Sequence, residues 1–294
     1  MFKRVMSLIA ALGAVVATLV ILPATTAAAA ACAPAWSASA VYWGGGSASY
    51  NGHNWSAKWW TQNERPGSAD VWADQGTCGS GGTEEPNPSG FVVSEAQFNQ
   101  MFPNRNSFYT YSGLTAALSA YPGFANTGSD TVKKQEAAAF LANVNHETGG
   151  LVHIVEQNTA NYPHYCDTSQ SYGCPAGQAA YYGRGPIQLS WNFNYKAAGD
   201  ALGIDLLGNP WQVEQNASVA WKTGLWYWNT QSGPGTMTPH NAMVNGAGFG
   251  ETIRSINGSI ECNGGNPAQV QSRVDKYKAF VQILGTTPGS NLSC

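Results

Sequence analysis

The residues best suited to do chemistry are two carboxylates, Glu147 and Glu156, nine positions apart. Glu147 follows a strongly helix-forming, Ala-rich stretch at 133–142, and glycines at 149 and 150 should end that helix. The last turn of an apolar helix disfavours an ionised carboxylate, because the helix dipole is negative there and burial penalises charge. The sequence therefore predicts that Glu147 is held protonated, as a general acid must be.

Glu156 has a different setting, because it lies in a polar stretch beside Gln157 and Asn158. Such surroundings favour an ionised carboxylate that acts as a base. One carboxyl that protonates a leaving oxygen and one that activates water or attacks are the pair that hydrolyses a glycosidic bond. Glu147 taken alone could equally be a surface residue near a helix end. The second carboxylate and the polar run at 181–190 favour the catalytic interpretation.

Other chemistries lack the residues that they need. A zincin motif built on His146-Glu147 would require a second His at position 150, which is Gly. The chain has no G-x-S-x-G for a serine hydrolase and no C-x-x-C for a redox or zinc site. We therefore expect no metal and no cofactor.

The composition suits a protein that binds a neutral polymer. The 294 residues are enough for two domains of unequal size. Charged residues are only 11% of the chain, the formal net charge is −3, and Lys and Arg form no cluster, so a nucleic-acid partner is not expected. Aromatic residues reach 12%, with 11 Trp, and flat rings suit the faces of carbohydrates.

Residues 1–30 read as a secretory signal. Lys3 and Arg4 precede an apolar stretch at 5–22, and Ala-rich sequence with A-x-A cleavage sites follows Pro23. A transmembrane anchor is the alternative, since the apolar stretch is nearly long enough to span a bilayer. Small residues rather than a charged stop follow it, so we expect a secreted, extracellular protein without a membrane contact once the signal is removed.

Six cysteines remain after this segment, and an even number in an exported chain indicates three disulfides. Fifteen pairings are possible for six cysteines. Position favours pairs of nearest neighbours, namely Cys32–Cys78, Cys166–Cys174 and Cys262–Cys294.

Residues 31–78 are predicted to form a small all-β unit of their own, followed by a linker rich in Gly, Pro and Ser at 79–90 and a second domain at 91–294. Six Trp lie between Cys32 and Cys78, and so short a segment cannot bury six indoles. We expect exposed rings to form a binding face, with Trp59 and Trp60 as its main candidates. Adjacent residues of a strand point to opposite faces, so either this pair lies on an irregular segment or one of the two is core.

The small unit resembles the chitin- and cellulose-binding modules attached to bacterial chitinases, of the family 5/12 type. The resemblance rests on Tyr50-Asn51-Gly52, Ala57-Lys58-Trp59-Trp60-Thr61, Pro66-Gly67 and the flanking segments 35–42 and 72–78. It implies a module that binds chitin through the exposed Trp pair.

The second domain has a helical pattern. Predicted helices span 95–102, which opens with a capping box at Ser94 and Gln97, then 112–121, 131–147 and 216–228. The last of these has Trp221, Leu225 and Trp228 at core spacing. A final helix, which Asn266 and Pro267 cap and Gly285 ends, has one apolar stripe made of Val270, Val274, Tyr277, Val281 and Leu284. The segment 152–190 has no helical period and reads as a long functional loop with a small sheet.

Residues 91–294 resemble the family 19 chitinases of plants and streptomycete-type bacteria. The motifs that carry the resemblance are His146-Glu147-Thr148-Gly149-Gly150, the stretch 182–190, Asn192-Phe193-Asn194-Tyr195 and the stretch 256–262. The resemblance implies a mainly α, lysozyme-like fold with two lobes and a cleft between them. It also implies an inverting endochitinase with Glu147 as acid, Glu156 as base and Ser190 as a second partner of the attacking water. Residues implied to bind the substrate in the cleft are Tyr182, Gln188, Asn194, Asn257 and Arg273, the last paired with Glu261.

Some alternatives stay open at this point. Asn194 and Asn257 could merely cap turns. A lysozyme-like muramidase would use the same fold and acid, and a non-catalytic chitin-binding lectin would need only residues 32–78. The loops are shorter than in plant members, which implies fewer sugar subsites. We expect a monomer whose partners are chitin and its oligosaccharides, in either an antifungal or a nutritional role.

Overall fold

The computed structural model describes residues 32–34, 36–38, 40–50, 53–78 and 90–294. The chain divides into two compact units, Met1–Glu85 and Pro86–Cys294. The division falls within the segment 79–90 that the sequence marks as a linker. The predicted signal at 1–30 and nearly all of this linker lie outside the described residues. No helix of the described ranges has the length and apolar character that crossing a membrane requires.

The described part of the small unit contains short antiparallel strands. They are β1 (Val41–Tyr42), β2 (Ser47–Tyr50), β3 (His53–Ala57), β4 (Thr61–Gln62) and β5 (Trp72–Thr77). β1 pairs with β4, and β3 lies between β2 and β5. The hydrophobic cluster of its described residues is small, with Ala48, Ala57, Val71 and Trp72 as the buried members. So small a core stabilises little on its own, and the Cys32–Cys78 disulfide closes the unit covalently.

The larger unit is mainly α, as predicted. Its described helices are α1 (Glu95–Met101), α2 (Tyr111–Ala117), α3 (Asp130–Thr148), α4 (Asn192–Leu202), α5 (Gln212–Gln215), α6 (Ala217–Thr230), α7 (Pro239–Val244), α8 (Phe249–Glu261) and α9 (Pro267–Ile283). Two 3₁₀ helices, Leu118–Ala120 and Thr159–Tyr165, join them. The capping box of Ser94 and Gln97 is present at the start of α1.

Helix α3 is the centre of the unit. Ser129 caps its start by accepting a hydrogen bond from the backbone N–H of Val132. Residues 136–144 in its middle are all buried, as expected for a helix that is mainly apolar on every side. It packs against α7, α8 and α9. Gly149 ends it in the left-handed conformation (φ 61°, ψ 37°), as the two glycines predict.

Two hydrophobic cores lie within the described residues of this unit. Helix α6 contributes to both, because Trp221, Leu225 and Trp228 face the larger core and Trp226 faces the smaller one. The first three side chains are fully buried, in agreement with the core spacing of the sequence. The predicted apolar stripe of α9 is also buried in the larger core.

The sequence analysis missed helices α4, α5, α7 and α8. They are short or rich in Gly, Asn and Ser, which are weak helix formers, so packing rather than propensity decides their conformation. The small sheet expected within 152–190 is reduced to isolated bridges, Val155 with Arg184 and Arg184 with Leu189. The three predicted disulfides are all present.

A buried carboxylate joins α3 to α6 and α7. Glu136 is fully buried and accepts hydrogen bonds from the Ala125 N–H (2.9 Å), the Trp228 indole (3.0 Å) and His240 Nδ1 (2.6 Å). The bond to Glu136 is the main reason why the pKa of His240 is raised above its ordinary value of 6.5. A protonated His240 therefore stabilises the folded state.

We predict that this contribution depends on pH. Because the pKa of His240 is higher in the folded state, its contribution is complete below about pH 6.5 and is lost as the pH rises through the folded value. His240→Gln should lower the free energy of unfolding by about 1–2 kcal/mol more at low pH than at high pH. Urea denaturation near pH 5.5 and pH 8.5 measures the difference, with the exposed His164→Gln as control. An equal loss at both pH values would contradict the prediction.

Candidate active site

A cleft of about 470 Å³ in the larger unit brings together residues from distant parts of the chain. Six residues that the sequence singled out line it: Glu147, Glu156, Gln188, Ser190, Asn194 and Asn257. Its wall also contains Tyr165, Ile187, Trp191, Tyr227 and Ile256, which the sequence analysis did not single out.

Glu147 reaches the cleft from the last turn of α3, with its side chain 19% exposed. Helix α9 packs against α3 and places Arg273 behind it, where Arg273 Nη2 lies 2.5 Å from Glu147 Oε1. The Arg273 side chain is only 1% exposed, so this cation is held within the protein.

Arg273 has a second carboxylate partner, Glu261, at the end of α8. Its Nε and Nη2 donate to the two oxygens of Glu261 at 2.8 and 2.6 Å, and its Nη1 donates to Asn143 at 3.0 Å. Asn257 donates a further bond to Glu261 at 2.7 Å. Burial raises the pKa of Glu261, but Arg273 and Asn257 outweigh it and the pKa is lowered. Glu261 is therefore the ionised counter-ion of Arg273.

The expectation that Glu147 has apolar surroundings is wrong on this side, because its nearest partner is a guanidinium group. The charge of that group is already balanced by Glu261. His146 adds little positive charge, since burial and the charge of Arg273 lower its pKa. Glu147 thus faces a network whose cation is already paired.

Glu156 lines the same cleft as Glu147 and is surrounded by hydrogen-bond donors. Its Oε1 accepts bonds from Asn161 Nδ2 at 2.7 Å and from the Tyr165 hydroxyl at 3.0 Å. Burial, followed by the bond to Glu156, raises the pKa of Tyr165 to about 12, so the hydroxyl keeps its proton and donates it. The backbone N–H of Glu156 donates to Gly183 O at 2.9 Å. These contacts fix the direction of the Glu156 carboxylate.

The cleft lining at 187–191 includes a turn with unusual backbone. Gln188 (φ 51°) and Trp191 (φ 77°) both have the left-handed φ that residues other than Gly rarely adopt. Such conformations cost about 1–3 kcal/mol each and persist where the surrounding structure enforces them, often at binding sites. The side-chain amide of Gln188 donates to Gly185 O at 3.0 Å and that of Asn194 to Ser190 O at 2.9 Å. The turn and the start of α4 therefore place Gln188, Ser190 and Asn194 on the lining of the cleft.

Sequence comparison decides the family. The family model for class I chitinases matches residues 92–294, and every residue that lines the cleft lies within this range.

The chain belongs to glycoside hydrolase family 19.

Its relatives are both plant and bacterial. The chain is 46% identical to endochitinase A of maize over 210 residues, which are 69% of this chain and 71% of the maize protein. The crystal structure of chitinase C from Streptomyces griseus is 78% identical, covers 90% of this chain and all of its own, and superposes with a TM-score of 0.69. A bacterial family 19 chitinase at 83% identity covers 69% of this chain and all of its own, also with a TM-score of 0.69.

Two of the residues expected to bind substrate are not among those that line the cleft of this family 19 domain. Arg273 is buried behind Glu147, and the expected pair with Glu261 is present. Tyr182 is not among the residues that line the cleft; its ring stacks on Tyr162 and its hydroxyl lies 3.3 Å from Glu214. Arg273 is fully buried, whereas Tyr182 keeps part of its surface exposed.

Tyr227, which the sequence analysis missed, lies on the lining of the same cleft. Its hydroxyl donates to Ser255 O at 2.8 Å, and its pKa is raised to about 12, by burial first and then by the negative charge of Glu147. The sequence signal that could have indicated Tyr227 was its position on α6, directly before the core residue Trp228. Trp191 and Tyr165 had weaker signals, since each stands directly beside a residue of known interest, Ser190 and Cys166 respectively.

No group of three or more His, Cys, Asp or Glu side chains in the described parts of the chain is arranged to hold a metal ion.

The small unit exposes three indoles. Trp43, Trp59 and Trp60 are 69%, 55% and 50% exposed. Trp59 and Trp60 lie on the irregular connection between β3 and β4, so the alternative that one of them is core is wrong. The backbone at Trp43 is close to this pair. The next residue, Gly44, lies against Trp59, since a Cβ atom added to Gly44 would be 3.5 Å from the Cα of Trp59. The exposure of Trp43 is a feature that sequence alone did not assign.

The Arg273 network predicts a large stability effect. Arg273→Met should lower the free energy of unfolding by about 3–5 kcal/mol, because Glu261 is left buried without its counter-ion. Adding Glu261→Leu should restore more than half of the loss, because the buried charge is then removed as well. Urea denaturation at neutral pH measures both.

The matched control is Lys196→Met, which removes the cation of the exposed pair between Lys196 and Asp200 and should leave stability nearly unchanged. Losses from Arg273→Met and Glu261→Leu that simply add would show that the two residues are not coupled.

Proposed function

We propose that this chain is a secreted endochitinase that hydrolyses β-1,4 bonds between N-acetylglucosamine units with inversion. The observation that carries the proposal is one cleft lined by two carboxylates with opposite surroundings. Glu147 is held against a paired buried cation, and Glu156 is surrounded by hydrogen-bond donors. Two carboxyl groups on one cleft are what an acid and a base acting on one glycosidic bond require.

Glu147 is the general acid. Arg273 and ionised Glu261 neutralise each other, so a proton on Glu147 leaves the three groups without net charge. Of these three side chains, Glu147 alone reaches the cleft, and it is therefore the one that can pass a proton to the leaving oxygen.

Glu156 is the general base. The bonds from Asn161 and Tyr165 fix the direction of its carboxylate. A water molecule held between Glu156 and the Ser190 hydroxyl would lose a proton to Glu156 as its oxygen attacks the anomeric carbon. Proton transfer from Glu147 to the leaving oxygen completes the cleavage. The attack comes from the face opposite the leaving group, so the configuration is inverted.

The amides of the cleft bind the substrate. Asn257 stands at a break in α8, where its backbone is not helical (φ −143°, ψ 27°), and its amide nitrogen is engaged by Glu261. Its amide oxygen is thus the atom suited to accept a bond from a substrate acetamido N–H. Gln188 and Asn194 offer further polar groups on the lining of the cleft. Each amide has one end fixed by the protein, which pre-orients the other end.

The small unit is the second part of the proposal. Exposed indoles on neighbouring backbone segments offer flat apolar faces to the sugar rings of chitin. Three disulfides agree with export to an oxidising environment, as the predicted signal at 1–30 suggests.

Inversion predicts the first anomer formed. Hydrolysis of the N-acetylglucosamine hexamer should release the α-anomer first, because water attacks opposite the β-linked leaving group. Proton NMR of fresh hydrolysate, read before mutarotation, decides the matter. A β-anomer would mean retention and would remove Glu156 from the role of base.

Glu147→Gln is the control for this experiment. It keeps the shape of the side chain but cannot donate the proton, so turnover should fall by at least about 10²-fold while the hexamer still binds. Peptidoglycan as substrate separates a muramidase from a chitinase: release of reducing sugar from peptidoglycan but not from chitin would overturn the proposed substrate.

Adsorption tests the indoles. Trp59→Ala combined with Trp60→Ala should weaken binding to insoluble chitin, and adding Trp43→Ala should weaken it further, because each ring offers a stacking face. Hydrolysis of the soluble hexamer should stay within about twofold of the original, since that chemistry takes place in the other unit. The buried Trp72 is no suitable control, so Lys58→Ala on the same surface serves instead. Unchanged adsorption of the triple variant would place the binding face elsewhere.

A further inference from the structure

The segment that follows Glu156 folds back and contacts it three times. Asn161 and Tyr165 donate to the carboxylate, whereas the Tyr162 hydroxyl donates to the main-chain carbonyl of Glu156 at 2.9 Å. The first two contacts concern the reacting atoms directly. The third fixes the peptide group from which the side chain projects.

Tyr162 is itself fixed by a stack. Its ring lies on that of Tyr182, with the ring centroids 3.7 Å apart and the planes at 11°. Arg184 Cζ lies 3.5 Å from the same Tyr182 centroid. Two groups so close to one ring cannot share a face, so Tyr182 lies between Tyr162 and Arg184.

Arg184 anchors the far end of the stack in the smaller core. It is fully buried and donates to Glu214 at 2.8 Å, to Ala180 O at 2.7 Å and to the Tyr195 hydroxyl at 2.8 Å. A rigid path therefore runs from a buried arginine through two rings to the carbonyl of Glu156. The cation over the ring adds attraction to the stacking.

Glu156 needs this support because little regular structure surrounds it. It lies between the end of α3 and the start of α4, where Thr159–Tyr165 and the isolated bridges of Arg184 are the regular features. Its N–H is bound to Gly183 O, and its C=O is bound to Tyr162. Both peptide groups of Glu156 are thus tied to the segment 182–184, one directly and one through the stack.

We infer that Tyr162 is a positioning residue for Glu156, acting through the stack of Tyr162, Tyr182 and Arg184. The inference rests on the proposed role of Glu156 as base. Tyr162 is not among the residues that line the cleft, so it acts on the reaction through Glu156 rather than by contact with the sugar. A small displacement of a catalytic group costs about 10²-fold in rate, whereas substrate binding by the opposite wall is unaffected. Its loss should therefore lower kcat and leave KM within about twofold of the original.

The test is a double-mutant cycle with the N-acetylglucosamine hexamer. Tyr162→Phe keeps the ring and removes one hydrogen bond, so kcat should fall about 3–10-fold. Tyr162→Leu removes the stack as well, and kcat should fall by about 10²-fold. In a Glu156→Ala background, measured with high enzyme concentrations and long incubations, neither change should lower turnover further by more than about twofold.

Tyr277→Phe is the matched control. The Tyr277 hydroxyl also donates to a main-chain carbonyl, that of Pro288 at 2.9 Å, but on α9 rather than beside Glu156. It should leave kcat and KM unchanged. If Tyr162→Leu does not fold, as judged by circular dichroism, Tyr162→Phe carries the test.

The outcomes separate this inference from the proposed function. Equal losses with and without Glu156, or a raised KM with an unchanged kcat, would overturn the positioning role. Loss of turnover in Glu156→Ala together with full kcat in both Tyr162 variants would overturn it while leaving the base assignment intact. Nearly full turnover in Glu156→Ala would instead refute Glu156 as the base, and with it both proposals.

Discussion

The pairing of one buried cation with two carboxylates is the constraint on which the Glu147 side of the cleft depends. Arg273 could not stay buried without Glu261, because an isolated charge in the interior costs several kcal/mol. Glu147 could not be held at the cleft edge without Arg273 behind it. Three helices, α3, α8 and α9, must pack correctly for this network to exist, so the packing of the larger core and the geometry of the site are one problem.

The sequence predicts the parts of this arrangement that arise locally. Two glycines end α3 shortly after Glu147, and the apolar stripe of α9 predicts its buried face. Both predictions succeed because each depends only on residues that are neighbours in the sequence. The same holds for the Trp pair, whose exposure follows from the small size of its unit. Family resemblance then collects Glu147, Glu156, Gln188, Ser190, Asn194 and Asn257, which the structure places on one cleft.

What sequence could not supply is the surroundings that long-range packing creates. An apolar run before Glu147 predicts apolar neighbours, yet the decisive neighbour comes from α9. Tyr182 belongs to a motif of the family, but its ring is covered by Tyr162 and Arg184 instead of facing the cleft. The break in α8 falls at Asn257-Gly258, two weak helix formers, but its effect on the site was not predicted: the freed amide donates to Glu261, the counter-ion of Arg273.

The two sides of the cleft differ in how far apart their partners lie along the chain. Glu156 finds Asn161, Tyr162 and Tyr165 within nine residues, whereas Glu147 and Arg273 are 126 residues apart. Contacts of short sequence separation can form early, and those of long separation wait for the chain to be made and folded. During synthesis the contacts of Glu156 with Asn161, Tyr162 and Tyr165 can therefore form while Glu147 still lacks the guanidinium group of Arg273. Hydrolytic activity thus appears only when folding of the whole larger unit is complete, which makes activity itself a report on the integrity of the domain.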